Sequence, residues 1–226
     1  MNIGIIGSGN IGSTLARYLT NLGHQVIIAN SRGPESLAKI AAETGATPVT
    51  VEDAADAKDL VIIAIPEKSI TNLPVSILAG SKAVIVDTGN YYPSRDGRNA
   101  DIEGGLTDSE WVASVLGRPV IKAFNNILSA SLASKAVPAG SENRIALSVA
   151  GDDEQEKRLV MELIDMIGFE PIDGGPLSES WRQQPGEPAY CQDLDKDALI
   201  SALQKADLTQ RASNLANADE QARPYF

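Results

Sequence analysis

The stretch Asn2-Ile3-Gly4-Ile5-Ile6-Gly7-Ser8-Gly9-Asn10-Ile11-Gly12 decides the fold. Asn2–Ile6 reads as a buried strand, and the glycines that follow spell G-x-G-x-x-G. Behind them Ile11, Leu15, Tyr18, Leu19 and Leu22 recur at helical spacing as far as Gly23, a suitable left-handed cap. The glycine pattern alone is weak evidence, because glycine is common. Strand, glycine turn and helix in direct succession are the context in which it binds a dinucleotide. Gly7 permits the tight turn, Gly9 lets the backbone approach a pyrophosphate, and Gly12 lets helix and strand pack closely. The unpaired N–H groups and positive end of the helix then face the phosphates, with Ser8 and Asn10 as further donors.

Moving outward, Gln25–Ala29 is a second strand that ends in Asn30-Ser31-Arg32. An NAD-preferring site carries Asp or Glu there for the ribose hydroxyls. A carboxylate would repel a 2′-phosphate, whereas Ser31 and the planar fork of Arg32 donate to it. The expected cofactor is therefore NADP(H). The chain carries 19 Lys+Arg against 30 Asp+Glu, a net charge of −11, so local donors must overcome a repulsive field. The same field disfavours nucleic acid and anionic membrane as partners.

The rest of the first half alternates apolar runs with amphipathic stretches, the pattern of a parallel sheet with helical crossovers. Pro34 opens a helix with Leu37, Ile40 and Ala41 that stops at Gly45. A weak strand follows at Pro48-Val49, and Thr50 with Asp53 resembles a capping box. Strands are expected at Leu60–Ile65, Ala83–Val86, Val120–Phe124, Ile145–Ala150 and Phe169–Ile172. The last two bracket a helix from about Glu154 to Ile167, with Asp152 as N-cap and Gly168 as stop. After Leu177 a loop marked by Pro185, Gly186 and Pro188 leads to Ala-rich helical sequence over about Asp193 to Ala222. The expected fold class is α/β: a Rossmann-type, doubly wound, mostly parallel sheet of about eight strands over residues 1–177, with a helical extension over 178–226.

Ligands in such sheets lie beyond the carboxyl ends of the strands. Ile65 and Pro66 are placed to line the ribose side. Thr88, Gly89 and Asn90 suit a nicotinamide carboxamide, and Asn125 with Asn126 supplies polar groups to the crevice. Phe124 reads as core, and Lys122, inside a strand, is expected to snorkel or pair with an acid. His24, the one histidine, falls in the turn before the second strand, at the far end of the sheet. Histidine acid–base catalysis is thereby set aside, as is a Cys–His nucleophile at Cys191, the one cysteine. One His and one Cys also exclude a His/Cys zinc cluster and an intrachain disulfide. No metal is expected. Hydride transfer between nicotinamide and a flavin-like ring needs mainly orientation, which suits a site poor in acid–base groups. Met1-Asn2-Ile3-Gly4 has no basic region, so no signal peptide and a cytoplasmic location are expected.

Several stretches resemble known families. Ile3–Gly12, Asn30–Arg32, Val120–Asn126 and Ser148–Leu177 are similar to the coenzyme F420-dependent NADP oxidoreductase family, whose second substrate is a deazaflavin. They also resemble the oxidoreductase domain of the STEAP metalloreductases, and Asp87–Asn90 and Lys122–Asn125 look closer to that domain. The Gly-Asp-Asp at 151–153, the Asp-Gly-Gly-Pro-Leu at 173–177 and Lys122-Ala-Phe-Asn125 are the most specific parts. The resemblance implies a Rossmann domain holding NADPH through Gly7, Ser8, Gly9, Asn10, Ile11, Ser31 and Arg32, with Asn125 beside the nicotinamide. It also implies a flavin or deazaflavin acceptor above it. The tail with Trp181, Tyr190 and Cys191 matches neither pattern.

Two other readings stay open. Dehydrogenases or imine reductases of small substrates use a large helical C-terminal domain, for which residues 178–226 are too few without a partner subunit. An NADP(H) sensor without catalysis fits the lack of an acid–base constellation. Leu199, Ile200 and Leu203 in the tail suit docking on the same domain or on a second subunit, and a homodimer is expected.

Overall fold

The computed structural model describes residues 1–226. Its eight strands are β1 (Asn2–Ile6), β2 (Gln25–Ala29), β3 (Thr47–Pro48), β4 (Leu60–Ile63), β5 (Val84–Asp87), β6 (Ile121–Lys122), β7 (Ala146–Val149) and β8 (Glu170–Asp173). The first six form one parallel sheet in the order β3-β2-β1-β4-β5-β6. The fold is the α/β, Rossmann-type doubly wound one. The expected eight strands do not share one ladder: β7 and β8 pair in parallel with each other, and one antiparallel bridge, Lys122 to Ala150, joins them to β6.

Helices α1 (Asn10–Asn21), α2 (Ala38–Thr44), α3 (Val51–Ala55) and α4 (Val75–Gly80) connect the first five strands. Between β5 and β6 run α5 (Pro93–Asp96), α6 (Ala100–Glu103) and α7 (Asp108–Leu116). Beyond β6 come α8 (Ser129–Ser134) and α9 (Glu154–Ile167), then α10 (Lys196–Lys205) and α11 (Arg211–Ala222) in the tail. Alternating strand residues feed two cores. Ile3, Ile5 and Ile62 pack with Leu15 and Leu19 of α1 and with Val160, Leu163 and Ile164 of α9. On the other face Ile6, Val61, Ile63 and Ile85 pack against Leu78 of α4 and Val112 and Leu116 of α7. Burying apolar side chains on both faces, at about 1.5–3 kcal/mol each, accounts for the unbroken apolar runs of β1, β4 and β5.

Local details depart from expectation in three places. The N-cap of α9 is Asp153, which accepts from the Gln155 and Glu156 N–H groups. Asp152 instead accepts from the Leu177 N–H, 2.9 Å away, and fastens the start of the tail. Strand β6 is only two residues long, because Phe124 turns to φ 62, the left-handed region that bulky residues avoid. The helices between Asp87 and Val120 lie in a stretch without an element assigned from sequence. There α7 opens with a full capping box between Thr107 and Glu110.

The register positions the site. Ile6 pairs with Ala29 and Ile63, Ile63 with Asp87, and Asp87 with Lys122. Gly7, Asn30, Ala64, Thr88 and Ala123 are therefore the first residues past the sheet along one edge. The order reverses between β1 and β4, where such a sheet opens its crevice.

Candidate dinucleotide and acceptor crevice

Gly7 leaves β1 at φ 119, and a side chain there would collide with the Ala64 carbonyl. Gly12 has no room either, since its Cβ would overlap the Gly7 carbonyl. Gly9 is the contrast. A Cβ built on it meets nothing within 4 Å, so the loop faces open space there. Gly9 is the N-cap of α1 and offers no capping side chain, and no acidic residue stands in the first turn. The first N–H groups of α1 therefore point into that space without an intrahelical partner. This geometry fits a pyrophosphate.

Ser8 and Asn30 are linked: Asn30 Nδ2 donates to Ser8 Oγ at 3.1 Å and to Ser36 Oγ at 3.0 Å. Asn30 Oδ1 accepts from the Arg32 N–H at 2.8 Å, closing the turn. Asn30 is buried and acts as the brace of this corner. Ser31 and Arg32 are exposed, and the Arg32 side chain makes no hydrogen bond or ion pair. Ser36 escaped the sequence reading because its role arises from the turn, six residues from Asn30.

On the other side of the switch point, Ile65 is half-buried and Pro66 exposed at the mouth, while Thr88 and Gly89 are buried. The Thr88 hydroxyl donates to the Ile63 carbonyl at 3.1 Å. Asn90 and Asn125 bond to each other: Asn125 Nδ2 donates to Asn90 Oδ1 at 3.0 Å, and Asn90 Nδ2 to the Asn125 carbonyl at 3.2 Å. Asn125 Nδ2 also donates to the Gln183 carbonyl, and Gln183 Nε2 donates back to Asn125 Oδ1 at 2.7 Å. Both N–H groups of the Asn125 amide are thus engaged within the chain. Asn125 ties β6, the loop after β5 and the tail together. Gln183 was missed because its partner lies 58 residues away and no local pattern announces it.

Beneath this loop sits a group of buried ionisable side chains. Lys122 and Asp87 are fully buried and paired at 3.1 Å, so Lys122 pairs with an acid rather than snorkelling. Lys122 Nζ also donates to the Gly89 carbonyl at 2.6 Å. Asp87 accepts from Ser109 Oγ at 2.6 Å and from the Gly89 N–H at 2.9 Å. Burial works against the Lys122 charge, but Asp87 and Asp108 outweigh it and hold the ammonium above its usual range. Glu67 is 1% exposed, and neither of its carboxyl oxygens has a partner.

His24 stands at the opposite edge, its Nδ1 3.3 Å from the chain's amino terminus. Burial pushes the Cys191 thiol up to about 11, which leaves it protonated. A cavity of about 920 Å³ lies between α6 and α11, lined by Ile102, Leu208, Arg211 and Leu215. No residue of the glycine loop or of the β2 corner borders it. No cluster of three metal-ligating side chains is present, and no helix is long and apolar enough to cross a membrane.

Residues 2–91 match the family described as NADP oxidoreductase, coenzyme F420-dependent. The Sinorhizobium meliloti protein SMa0349 is 36% identical, with a TM-score of 0.73, over 87% of this chain and 97% of that one. The chain belongs to this NADP oxidoreductase family. A structure from Arthrobacter sp. FB24, described as an F420-dependent NADP-reductase, is 25% identical with a TM-score of 0.65. It covers 80% of this chain and 87% of that one. The Escherichia coli protein YjhV is 40% identical over 86 residues, 38% of this chain and 56% of its own length. The rat metalloreductase STEAP3 is 28% identical over 79% of this chain and 34% of its own. The chain thus spans about half and about a third of these two curated relatives. Within the family match lie the glycine loop, the Asn30–Arg32 corner and Thr88–Asn90, whereas Asn125 and the tail fall outside it.

Proposed function

We propose that the chain binds NADP(H) along this edge and serves its transfer of hydride to a flavin, a deazaflavin or a similar small redox acceptor. The observation that carries the reading is the pairing of an open glycine loop with an uncommitted Arg32 at the end of β2, where positions 30–32 carry no acid and Glu35 lies beyond Gly33. The N–H groups at Gly9, Asn10 and Ile11 hold the pyrophosphate, with Gly12 keeping α1 against β1. Ser31 and Arg32 hold the 2′-phosphate on the corner that Asn30 braces. Ile65 and Pro66 border the ribose, and Thr88, Gly89 and Asn90 form the wall at the nicotinamide end. Bound there, the nicotinamide supplies a hydride, two electrons and one proton, for the acceptor ring.

The chain's own part is to orient and to exclude water. Asp87 and Lys122 are sealed and paired, so neither meets a substrate directly. Asn125 holds the wall through Asn90 and Gln183. A homodimer belongs to the same reading, since α11 buries only Asp219 of its residues. Sedimentation at several concentrations tests that point, and a constant monomer mass contradicts it.

The functional test is anaerobic NADPH oxidation with FMN, FAD, deazaflavin and ferric chelate in parallel. Turnover on one of them is expected and identifies the acceptor class. Tight NADPH binding without turnover on any contradicts acceptor reduction and favours a small-substrate dehydrogenase or a sensor.

A further inference from the structure

Glu67 follows Pro66 at the carboxyl end of β4 and turns inward beneath the loop after β5. A Cβ built on Gly89 would stand 2.5 Å from Glu67 Oε1 and 2.9 Å from Cδ and Oε2. The carboxyl group therefore packs directly under the Gly89 backbone. Two other acids and one cation share this interior. Asp87 takes the Lys122 ammonium, the Ser109 hydroxyl and the Gly89 N–H. Asp108 accepts from the Tyr91 N–H at 3.0 Å in the first turn of α7; burial pushes its carboxyl up, and Lys122 and that N–H pull it back. Asp96, nearby on α5, is paired with Arg95 at 2.8 Å. Glu67 alone has no donor on either oxygen. With one ammonium among Asp87, Asp108 and Glu67, a third buried negative charge would have nothing to balance it.

We propose that Glu67 stands as a neutral carboxylic acid and is a positioning residue: its uncharged head seats Gly89 and so sets the Thr88–Tyr91 wall against which the cofactor binds. The seating of the loop is independent of the cofactor assignment, and its effect on NADPH binding rests on that assignment. Lys122 holds the loop from the other side through the Gly89 carbonyl, and Asp87 through the Gly89 N–H. Ionised, Glu67 would face Asp87 and Asp108 across the same interior, and the loop would lift to admit water. Burial is the largest influence on this carboxyl, with Asp87 next, and both hold it well above the ordinary glutamate range.

Two measurements test this. Infrared spectra of the whole chain at neutral pH should show a protonated-carboxyl stretch that is lost in Glu67→Gln. Identical spectra for the two proteins overturn the neutral acid, whatever the cofactor is. Gly89→Ala should weaken NADPH binding by about tenfold or more, because the new methyl group has no room above Glu67. Glu67→Ala combined with Gly89→Ala should recover most of that loss. Wild-type affinity in Gly89→Ala, or no recovery in the double variant, overturns the seating. Absence of NADPH binding in the wild type, with the infrared band present, contradicts the cofactor reading and leaves the neutral acid standing.

Discussion

The two ends of the strand edge are built oppositely. At the β1–β2 end, Gly9 faces empty space, the first N–H groups of α1 are unpaired, and Ser31 and Arg32 stand in solvent. At the β5–β6 end the polar groups of the wall are engaged with one another, with Glu67 and Asn126 Oδ1 as exceptions. Asn90, Asn125 and Gln183 close on one another, Thr88 bonds to β4, and Asp87 and Lys122 are sealed together. The first end is prepared for an anion that brings its own charge. The second has used its donors to fix a shape, and under the proposed function it would orient the ligand by contact and backbone. The proposed hydride transfer would use this division, with charge recognition at one end and rigidity at the other.

Perturbing the sealed end should cost stability first. Lys122→Met leaves Asp87 buried without its cation, and the fold should lose about 3–5 kcal/mol, measured by urea unfolding. A loss below about 1 kcal/mol would show that water reaches Asp87. Asn125→Ala removes the bonds to Asn90 and Gln183 and should cost about 1–3 kcal/mol, with faster proteolysis of the tail. Unchanged proteolysis would mean that the tail is held elsewhere.

The same end should give the fold a pH dependence. Because the folded carboxyl of Glu67 lies above its unfolded value, the native state binds more protons than the unfolded chain above the ordinary glutamate range. Stability should therefore fall as pH rises through that interval, and level off once Glu67 itself ionises. Urea midpoints for the wild type should fall more steeply than those of Glu67→Gln between about pH 5 and 8. Parallel curves would remove Glu67 from this account. The smallest effect concerns Cys191, whose thiol should react with iodoacetamide at neutral pH far more slowly in the folded than in the unfolded chain. Equal rates would contradict its burial.

The open end was legible in the sequence, because its signals are local. Asn2–Ile6, the three glycines and the helical spacing behind them lie consecutively in the chain, and Gly7 and Gly12 occupy positions where side chains cannot fit. The Asn30–Arg32 corner follows from the end of β2. The sealed end was legible only in part. Lys122 was expected inside a strand, either snorkelling or paired with an acid, whereas Asp87 was expected just past its strand and closes β5 instead. The Asn125–Gln183 bond and the seat of Gly89 on Glu67 join segments far apart in the chain, so no periodicity encodes them. Helix α7 is a different case. Thr107 and Glu110 stand at capping-box spacing before Trp111, Val112 and Leu116, and the signal was available. At α9 two adjacent aspartates offered equivalent caps, and the need to anchor Leu177 took Asp152 for the other task.

Paired titrations of NADPH and NADH with the wild type and Arg32→Ala decide whether the open end selects NADP(H). The wild type should prefer NADPH, and Arg32→Ala should weaken NADPH binding by roughly ten- to a hundredfold while NADH binding barely changes. Equal losses for both cofactors, or a wild type that prefers NADH, would contradict that selection.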